Sequence, residues 1–102
     1  MERYSSRTID ELGRIVLHSE LRKKLNMETN DKLCLQLVDT LLVLKKSESK
    51  VKEDCNICLI DELGRIILPE EFRAKLYWGK GDKIAVYNTD NIIILKSTPT
   101  DF

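Results

Sequence analysis

The sequence lacks most of the features by which an enzyme or a membrane protein is recognised. Its 102 residues include one histidine, four glycines and two prolines. No apolar run approaches the roughly 20 residues of a membrane span, and the first residues contain no signal-peptide core. No pairing of a nucleophile with a base, no phosphate-binding loop and no carboxylate pair stands out. We therefore expect a cytoplasmic protein that is not an enzyme, has no cofactor and makes no membrane contact.

An excess of charge of either sign is also missing, because 17 Lys and Arg residues balance 17 Asp and Glu residues. Any binding to nucleic acid must therefore depend on where the charges lie rather than on their sum. Residues 1–46 contain nine basic and seven acidic residues, whereas residues 57–102 contain six and seven. The first half of the chain is mildly basic and the second half mildly acidic.

The three cysteines do not form a recognisable metal or redox motif. Cys55 and Cys58 make a lone CxxC, but a structural zinc site needs four ligands. Cys34 and His18 are the remaining candidates, and nothing in the sequence brings them to the motif. A thioredoxin-like role would require a helix after the first cysteine, whereas these residues begin a strand. We expect reduced, partly buried thiols and no metal site.

What the sequence does contain is an internal repeat. The hexapeptide Asp-Glu-Leu-Gly-Arg-Ile at residues 10–15 recurs at residues 61–66, and residues 9–45 align with 60–96 without a gap, with 17 identities in 37 pairs. A unit of about 45 residues is close to the size below which a fold rarely stabilises itself. We therefore predict one intertwined domain, 1–102, built of repeat 1 (1–46), a linker (47–55) and repeat 2 (56–102).

The hydrophobic pattern of each copy predicts strand, strand, short helix, strand, strand. Gly13 and Gly64 are expected to bend the chain at positive φ between the first two strands. The first helix is predicted from an N-cap at Ser19, with His18 in a helix-boundary role, and the second has Pro69 in its first position. The predicted strands are 5–9, 14–17, 32–38, 41–44, 56–60, 65–68, 83–87 and 92–96, and the helices are 19–25 and 69–76.

The run Asp-Glu-Leu-Gly-Arg-Ile-Ile-Leu-Pro-Glu-Glu-Phe-Arg-Ala-Lys-Leu at 61–76 is followed by Gly-Asp-Lys at 81–83 and an aliphatic hairpin. It resembles the AbrB-type DNA-binding domain, a family that includes AbrB-, SpoVT- and MazE-like proteins, and the resemblance extends over both copies. It implies a mainly β fold with short helices, the swapped-hairpin β-barrel, in which two units interleave their strands. The family usually supplies these units from two chains. The implied arrangement here is an intramolecular pseudo-dimer of two ββαββ repeats.

The resemblance also implies which residues contact DNA. The family's basic positions are all retained in the first copy, but two of the four are replaced in the second, by Cys58 and Ala74. With an additional cation from the N-terminal arm, the candidate DNA-binding residues are Arg3, Arg7, Arg14, Arg22, Lys23, Arg65 and Arg73. We expect lopsided binding in which repeat 1 dominates.

Other roles for these residues remain open. Arg14 and Arg65 could merely bridge Asp10 and Asp61 across the bends, and the helix cations could form an ordinary solvated face. Three functions follow from these alternatives. The first, which we favour, is a transcriptional regulator that binds double-stranded DNA, as a monomeric pseudo-dimer or as a dimer of pseudo-dimers. The second is the antitoxin of a MazE-like toxin–antitoxin pair, although few residues follow Lys96 to form a toxin-binding tail. The third is a protein-interaction or oligomerisation module that has lost DNA binding.

Overall fold

The computed structural model of the chain describes the backbone of residues 2–47 and 55–98, and within these ranges the side chains from residue 5 onward. Nearly all of the predicted linker, 47–55, lies outside the described residues. Antiparallel strands dominate, with two short helices between them. The elements are β1 (Glu2–Thr8), β2 (Arg14–Val16), α1 (Ser19–Lys24), β3 (Lys32–Val38), β4 (Leu41–Lys46), β5 (Asn56–Leu59), β6 (Arg65–Ile67), α2 (Glu70–Leu76), β7 (Lys83–Thr89) and β8 (Ile92–Ser97). The mainly β class and the order of elements predicted for each copy are confirmed.

The strands form a six-stranded sheet, in the order β1-β7-β8-β4-β3-β5, and a two-stranded sheet of β2 and β6. All of the pairings are antiparallel. The first strand of each copy pairs with the third strand of the other copy, so that β1 lies against β7 and β5 lies against β3. The last strands, β4 and β8, pair with each other at the centre of the sheet. The six-stranded sheet is therefore built jointly by strands of both copies.

One aliphatic core is shared by the two copies. Equivalent positions are buried in pairs: Ile15 and Ile66 are each 1% exposed, and Leu17 and Leu68 are fully buried. These residues belong to a single hydrophobic cluster, to which β3, β4, β7 and β8 also contribute. Sharing a core in this way overcomes the size limit on either copy, because neither has enough apolar surface to stabilise a fold alone.

The helix starts differ between the copies. In α1 the N-cap is His18, whose Nδ1 accepts a hydrogen bond from the backbone N–H of Glu20 at 3.2 Å. The helix-boundary role of His18 is confirmed, and the prediction of Ser19 as N-cap is wrong. In α2 Pro69 is the N-cap, so the helix begins at Glu70, one residue later than predicted, and Pro69 makes no side-chain capping bond. Two-turn helices of this kind depend on packing, which Leu21 and Phe72 provide from the buried faces of α1 and α2.

The structure corrects the prediction for the cysteines. Cys34 and Cys55 form a disulfide with a Cα–Cα distance of 5.7 Å. The pairing of β3 with β5 brings them together. Leu35 lies opposite Asn56, so Cys34 and Cys55, which precede these two residues on antiparallel strands, are diagonal neighbours of each other. Cys58 is free and half-buried, and burial raises the pKa of its thiol to about 12. A thiol that stays protonated at neutral pH is a poor nucleophile.

Candidate nucleic-acid interface

The strands β2 and β6 form a short ribbon that has one buried and one outward face. Arg14 pairs with Ile67, and Val16 pairs with Arg65. Because side chains alternate along a strand, the central residues Ile15 and Ile66 point into the core and the four flanking residues point away from it. We call this flanking set, Arg14, Val16, Arg65 and Ile67, the outer face of the ribbon.

A carboxylate shapes the bend that precedes each strand of the ribbon. In the first bend, residues 10–14, Oδ1 of Asp10 accepts hydrogen bonds from the backbone N–H groups of Leu12 and Arg14 at 2.9 and 2.8 Å. Oδ2 of the same carboxylate accepts from Nε of Arg14 at 2.7 Å. The bridge that the sequence left as an alternative role for Arg14 is therefore present. This bridge fixes the orientation of the Arg14 side chain.

The second bend, residues 61–65, repeats this arrangement. Asp61 accepts from the backbone N–H groups of Leu63 and Arg65 at 2.9 and 2.8 Å and from Nε of Arg65 at 2.7 Å. The Asp10–Arg14 and Asp61–Arg65 ion pairs are both partly exposed to solvent. The two bends thus present the same chemistry at the two ends of the ribbon.

Both aspartates are held in the ionised form. Burial alone would raise the pKa of Asp10, but hydrogen bonds from the backbone and side chain of Arg14 and from the N–H of Leu12 hold that pKa below its ordinary value. The pKa of Asp61 is lowered chiefly by the hydrogen bond from the backbone N–H of Arg65, against the opposing effect of burial. A carboxylate that accepts several hydrogen bonds favours its charged state.

The helix arginines reach across to the bend of the opposite copy. Nε of Arg22 donates to the carbonyl oxygen of Leu17 at 3.0 Å, and its guanidinium lies against Gly64. A Cβ at Gly64 would lie 2.5 Å from Cζ of that guanidinium. The backbone there has a φ of +78°, so glycine is required both by conformation and by the close approach.

Arg73, the equivalent arginine of the second copy, lies against the bend of the first copy. Nε of Arg73 donates to the carbonyl oxygen of Leu68 at 2.9 Å, and a Cβ at Gly13, where φ is +80°, would lie 2.5 Å from Cζ of Arg73. Each end of the ribbon is therefore composite. The first bend carries Arg14 together with Arg73 of the second copy, and the second bend carries Arg65 together with Arg22 of the first.

All four arginines are oriented through Nε alone. Within residues 5–47 and 55–98, the structure gives no hydrogen bond from an Nη atom of these side chains. The terminal Nη donors of a guanidinium are suited to bidentate contact with a phosphate or with a guanine edge. The site therefore consists of four anchored guanidinium groups whose outer donors are not used by the described part of the protein.

The other candidate residues lie elsewhere. Lys23 is exposed beside Arg22 on α1, and its counterpart on α2 is Ala74. Arg7 lies on β1 opposite Ile84, half-buried, and its Nε has no hydrogen-bond partner among the described residues. The side chain of Arg3 lies outside the described part of the chain. The structure thus groups four of the seven candidates at the ribbon, with Lys23 adjacent to one of them.

Sequence reasoning missed the aliphatic residues of this surface. Leu12 and Leu63, at the tips of the bends, are 60% and 65% exposed, and Val16 and Ile67 on the outer face are 37% and 57% exposed. The aliphatic and β-branched run at residues 14–17 predicts a strand, but that prediction does not say which of its side chains face outward. The alternation of Ile15 and Leu17 around position 16 was the signal that one residue in the run points outward.

Comparisons with known proteins give a fold but no function. No protein-family model and no curated protein matches the chain. The chain is similar to the solution structure of PHS018 from Pyrococcus horikoshii, with 21% sequence identity and a TM-score of 0.56 over 98% of this chain and 96% of that one. At this identity the likeness concerns the small, mainly β fold alone. Among the described residues, no helix has the length and apolar character to cross a membrane.

Proposed function

We propose that this protein binds duplex DNA through the β2–β6 ribbon, as a transcriptional regulator of the AbrB type. In this proposal the exchange of strands between the copies is a swapped-hairpin pseudo-dimer within one chain. The observation that carries the proposal is the set of four arginines, each anchored through Nε and each with Nη donors that no described residue accepts. An anchored guanidinium loses little conformational freedom when it binds an anion, which favours phosphate and base contacts.

A two-stranded antiparallel ribbon is an element that the major groove of DNA can admit. Neighbouring strands lie about 4.8 Å apart, and the major groove of B-DNA, about 12 Å wide, admits a two-stranded ribbon. Because the bends lie at opposite ends of the antiparallel β2–β6 pair, their arginines would contact the duplex at two separate points. Zero net charge does not oppose this contact, since several of the acids are engaged within the protein: Asp10 and Asp61 at the bends, and Asp31 with Lys46.

Each helix arginine lies against the bend of the other copy. This arrangement changes which bend each cation is expected to serve. From the sequence, the first copy carries most of the cations. In the structure its Arg22 lies against Gly64 in the bend of the second copy, and Lys23 follows Arg22 on α1. We therefore propose a contact at both bends, in which the remaining difference is that Lys23 accompanies Arg65, whereas Ala74 takes the equivalent place beside Arg14.

The test is a salt titration of binding to duplex DNA, with fluorescence anisotropy as the measurement. Four phosphate contacts give a slope of log K against log salt of about −4. The substitutions Arg14→Ala and Arg65→Ala should each weaken binding by about 1–3 kcal/mol, and by similar amounts. Lys83→Ala, which removes an exposed cation from β7 of the six-stranded sheet, is the control and should leave the affinity almost unchanged.

The outcomes separate the proposed function from its alternatives. Loss of binding from the arginine variants with retained melting temperature supports the ribbon as the DNA-binding surface. Absence of binding to any duplex at low salt would contradict the proposal and would favour a protein-interaction module on the same fold. A clear loss from Lys83→Ala would place the DNA on the six-stranded sheet instead.

A further inference from the structure

We propose that the exposed aliphatic side chains of the ribbon recognise the 5-methyl groups of thymine in the major groove. This inference rests on the proposed function and extends it from an affinity for duplex DNA to a preference for methylated pyrimidines. It assigns a role to the apolar part of the surface, which the arginines leave unexplained.

The geometry of the outer face supports this assignment. Arg14 stands directly opposite Ile67, and Val16 stands directly opposite Arg65. The face is therefore a two-by-two array in which each guanidinium has an aliphatic side chain as its cross-strand neighbour. Directly paired residues of an antiparallel ribbon have Cβ atoms about 4.5–5.5 Å apart, so both kinds of side chain would meet the same one or two base steps.

The exposure of these aliphatic groups is higher than a folded monomer requires. Ile67 is 57% exposed, although the residues on either side of it, Ile66 and Leu68, are almost completely buried. Leu12 and Leu63, in the bends that precede β2 and β6, are exposed as well. Covering apolar surface of this kind with another apolar group is energetically favourable.

The charges of the face select DNA as the partner that covers it. In the major groove, guanine offers two acceptors to an arginine and thymine offers a methyl group to an aliphatic side chain. Interleaved guanidinium and aliphatic groups are complementary to that mixture. The face of a second copy offers these arginines few free carboxylates, because Asp10 and Asp61 already accept hydrogen bonds from their own bends.

The test compares thymine with uracil in otherwise identical DNA. A duplex of about 20 base pairs, selected from a randomised pool with the full chain, is prepared again with uracil in place of thymine at its centre. Covering one methyl group contributes about a fourfold change in affinity, so two contacts predict a loss of about fifteenfold on the uracil duplex. In a further duplex, cytosine replaces thymine at a central position. Changing that cytosine to 5-methylcytosine should recover part of the lost affinity.

One double variant, one single control variant and a mass measurement complete the design. Val16→Ala with Ile67→Ala should bind the thymine duplex about as weakly as the uracil duplex, so that discrimination between them disappears. Both side chains are exposed, and the melting temperature should stay within a few degrees of the unmodified protein. Val38→Ala is the matched control, because Val38 is 48% exposed but lies on β3 of the other sheet. It should retain the full discrimination.

Each other outcome overturns the inference. Binding to DNA that is equally tight with thymine and uracil would refute the methyl contact while leaving the proposed function intact. Absence of binding to any duplex would refute both. A chain that forms dimers by sedimentation, and loses them with the Val16 and Ile67 substitutions, would show that the aliphatic groups serve a second copy.

Discussion

At the scale of single residues, the aspartates of the bends hold the arginines in place. Each carboxylate accepts two backbone N–H groups and one Nε, so its hydrogen-bonding capacity is directed inward. The neighbouring Arg14 makes no Nη hydrogen bond to the described residues. An ion pair of this kind reduces the net charge of the surface, but it also reduces the entropy lost when the side chain is immobilised.

The lowered pKa values of Asp10 and Asp61 predict how stability depends on pH. Because each folded-state pKa lies below the unfolded value near 4, the stabilisation is fully present above pH 4 and is lost as pH falls through the folded-state pKa. The substitutions Asp10→Asn and Asp61→Asn should therefore destabilise the protein at pH 7 and have a smaller effect at pH 2. Urea unfolding at both pH values measures the difference. An equal effect at both would assign the loss to packing rather than to charge.

At the scale of strands and helices, the internal repeat made the order of elements predictable. Alternation of apolar and polar residues located β3, Lys32–Val38, to the residue, because one of its faces is buried. The ends of the helices were less accessible. Pro69 lies outside α2 as its N-cap, and His18 rather than Ser19 caps α1, since the choice depends on backbone geometry that sequence preferences only approximate.

The partners of the elements could not be read from the sequence in the same way. The arginines were found through a family resemblance, but the contacts that orient Arg22 and Arg73 come from the opposite copy. The same reason accounts for the disulfide. Cys34 and Cys55 meet only because β5 joins the sheet beside β3, and no local pattern records that pairing.

The cross-copy contact predicts a specific energetic coupling. Gly13→Ala introduces both an unfavourable φ and a clash with Arg73, and should destabilise the protein by about 1–3 kcal/mol. In a background with Arg73→Ala the clash is absent, so the cost of Gly13→Ala should be smaller. In a background with Arg22→Ala the cost should be unchanged, because Arg22 contacts Gly64 instead.

Urea denaturation of the single and double variants measures these couplings. The matched cycle on the other side of the pseudo-symmetric ribbon pairs Gly64→Ala with Arg22→Ala. Coupling of Gly13 to Arg22 rather than to Arg73 would mean that each helix arginine stays with its own bend.

At the scale of the whole molecule, the disulfide joins the two copies at one side of the sheet. It links β3 of the first copy to the residue preceding β5 of the second, across a sequence separation of 21. On the other side, the pairing of β1 with β7 has Ala85 at the position equivalent to Cys34 and so has no covalent link. The two pairings that exchange strands are thus unequally secured.

Reduction should therefore lower the stability of the oxidised protein. A loop of about this length predicts a loss of about 2–4 kcal/mol, with a fall in melting temperature of roughly 10 °C or more. Cys34→Ser should reproduce the loss without a reductant. Cys58→Ser is the control, since its thiol is free, and it should leave the response to reductant unchanged. A melting temperature that is the same with and without reductant would contradict a stabilising bridge.

The joining of two copies in one chain has a consequence for how the surface can change over time. In an assembly of two identical chains, every substitution is introduced at both ends of a shared surface. Here Ala74 could replace a cation on α2 while Lys23 kept one on α1, and Cys58 could take a position where Arg7 remains. Because each bend draws on both copies, a single substitution alters one end of the ribbon only. Substitutions in the duplicated chain can therefore change one end of the ribbon at a time, while the buried residues stay matched in pairs.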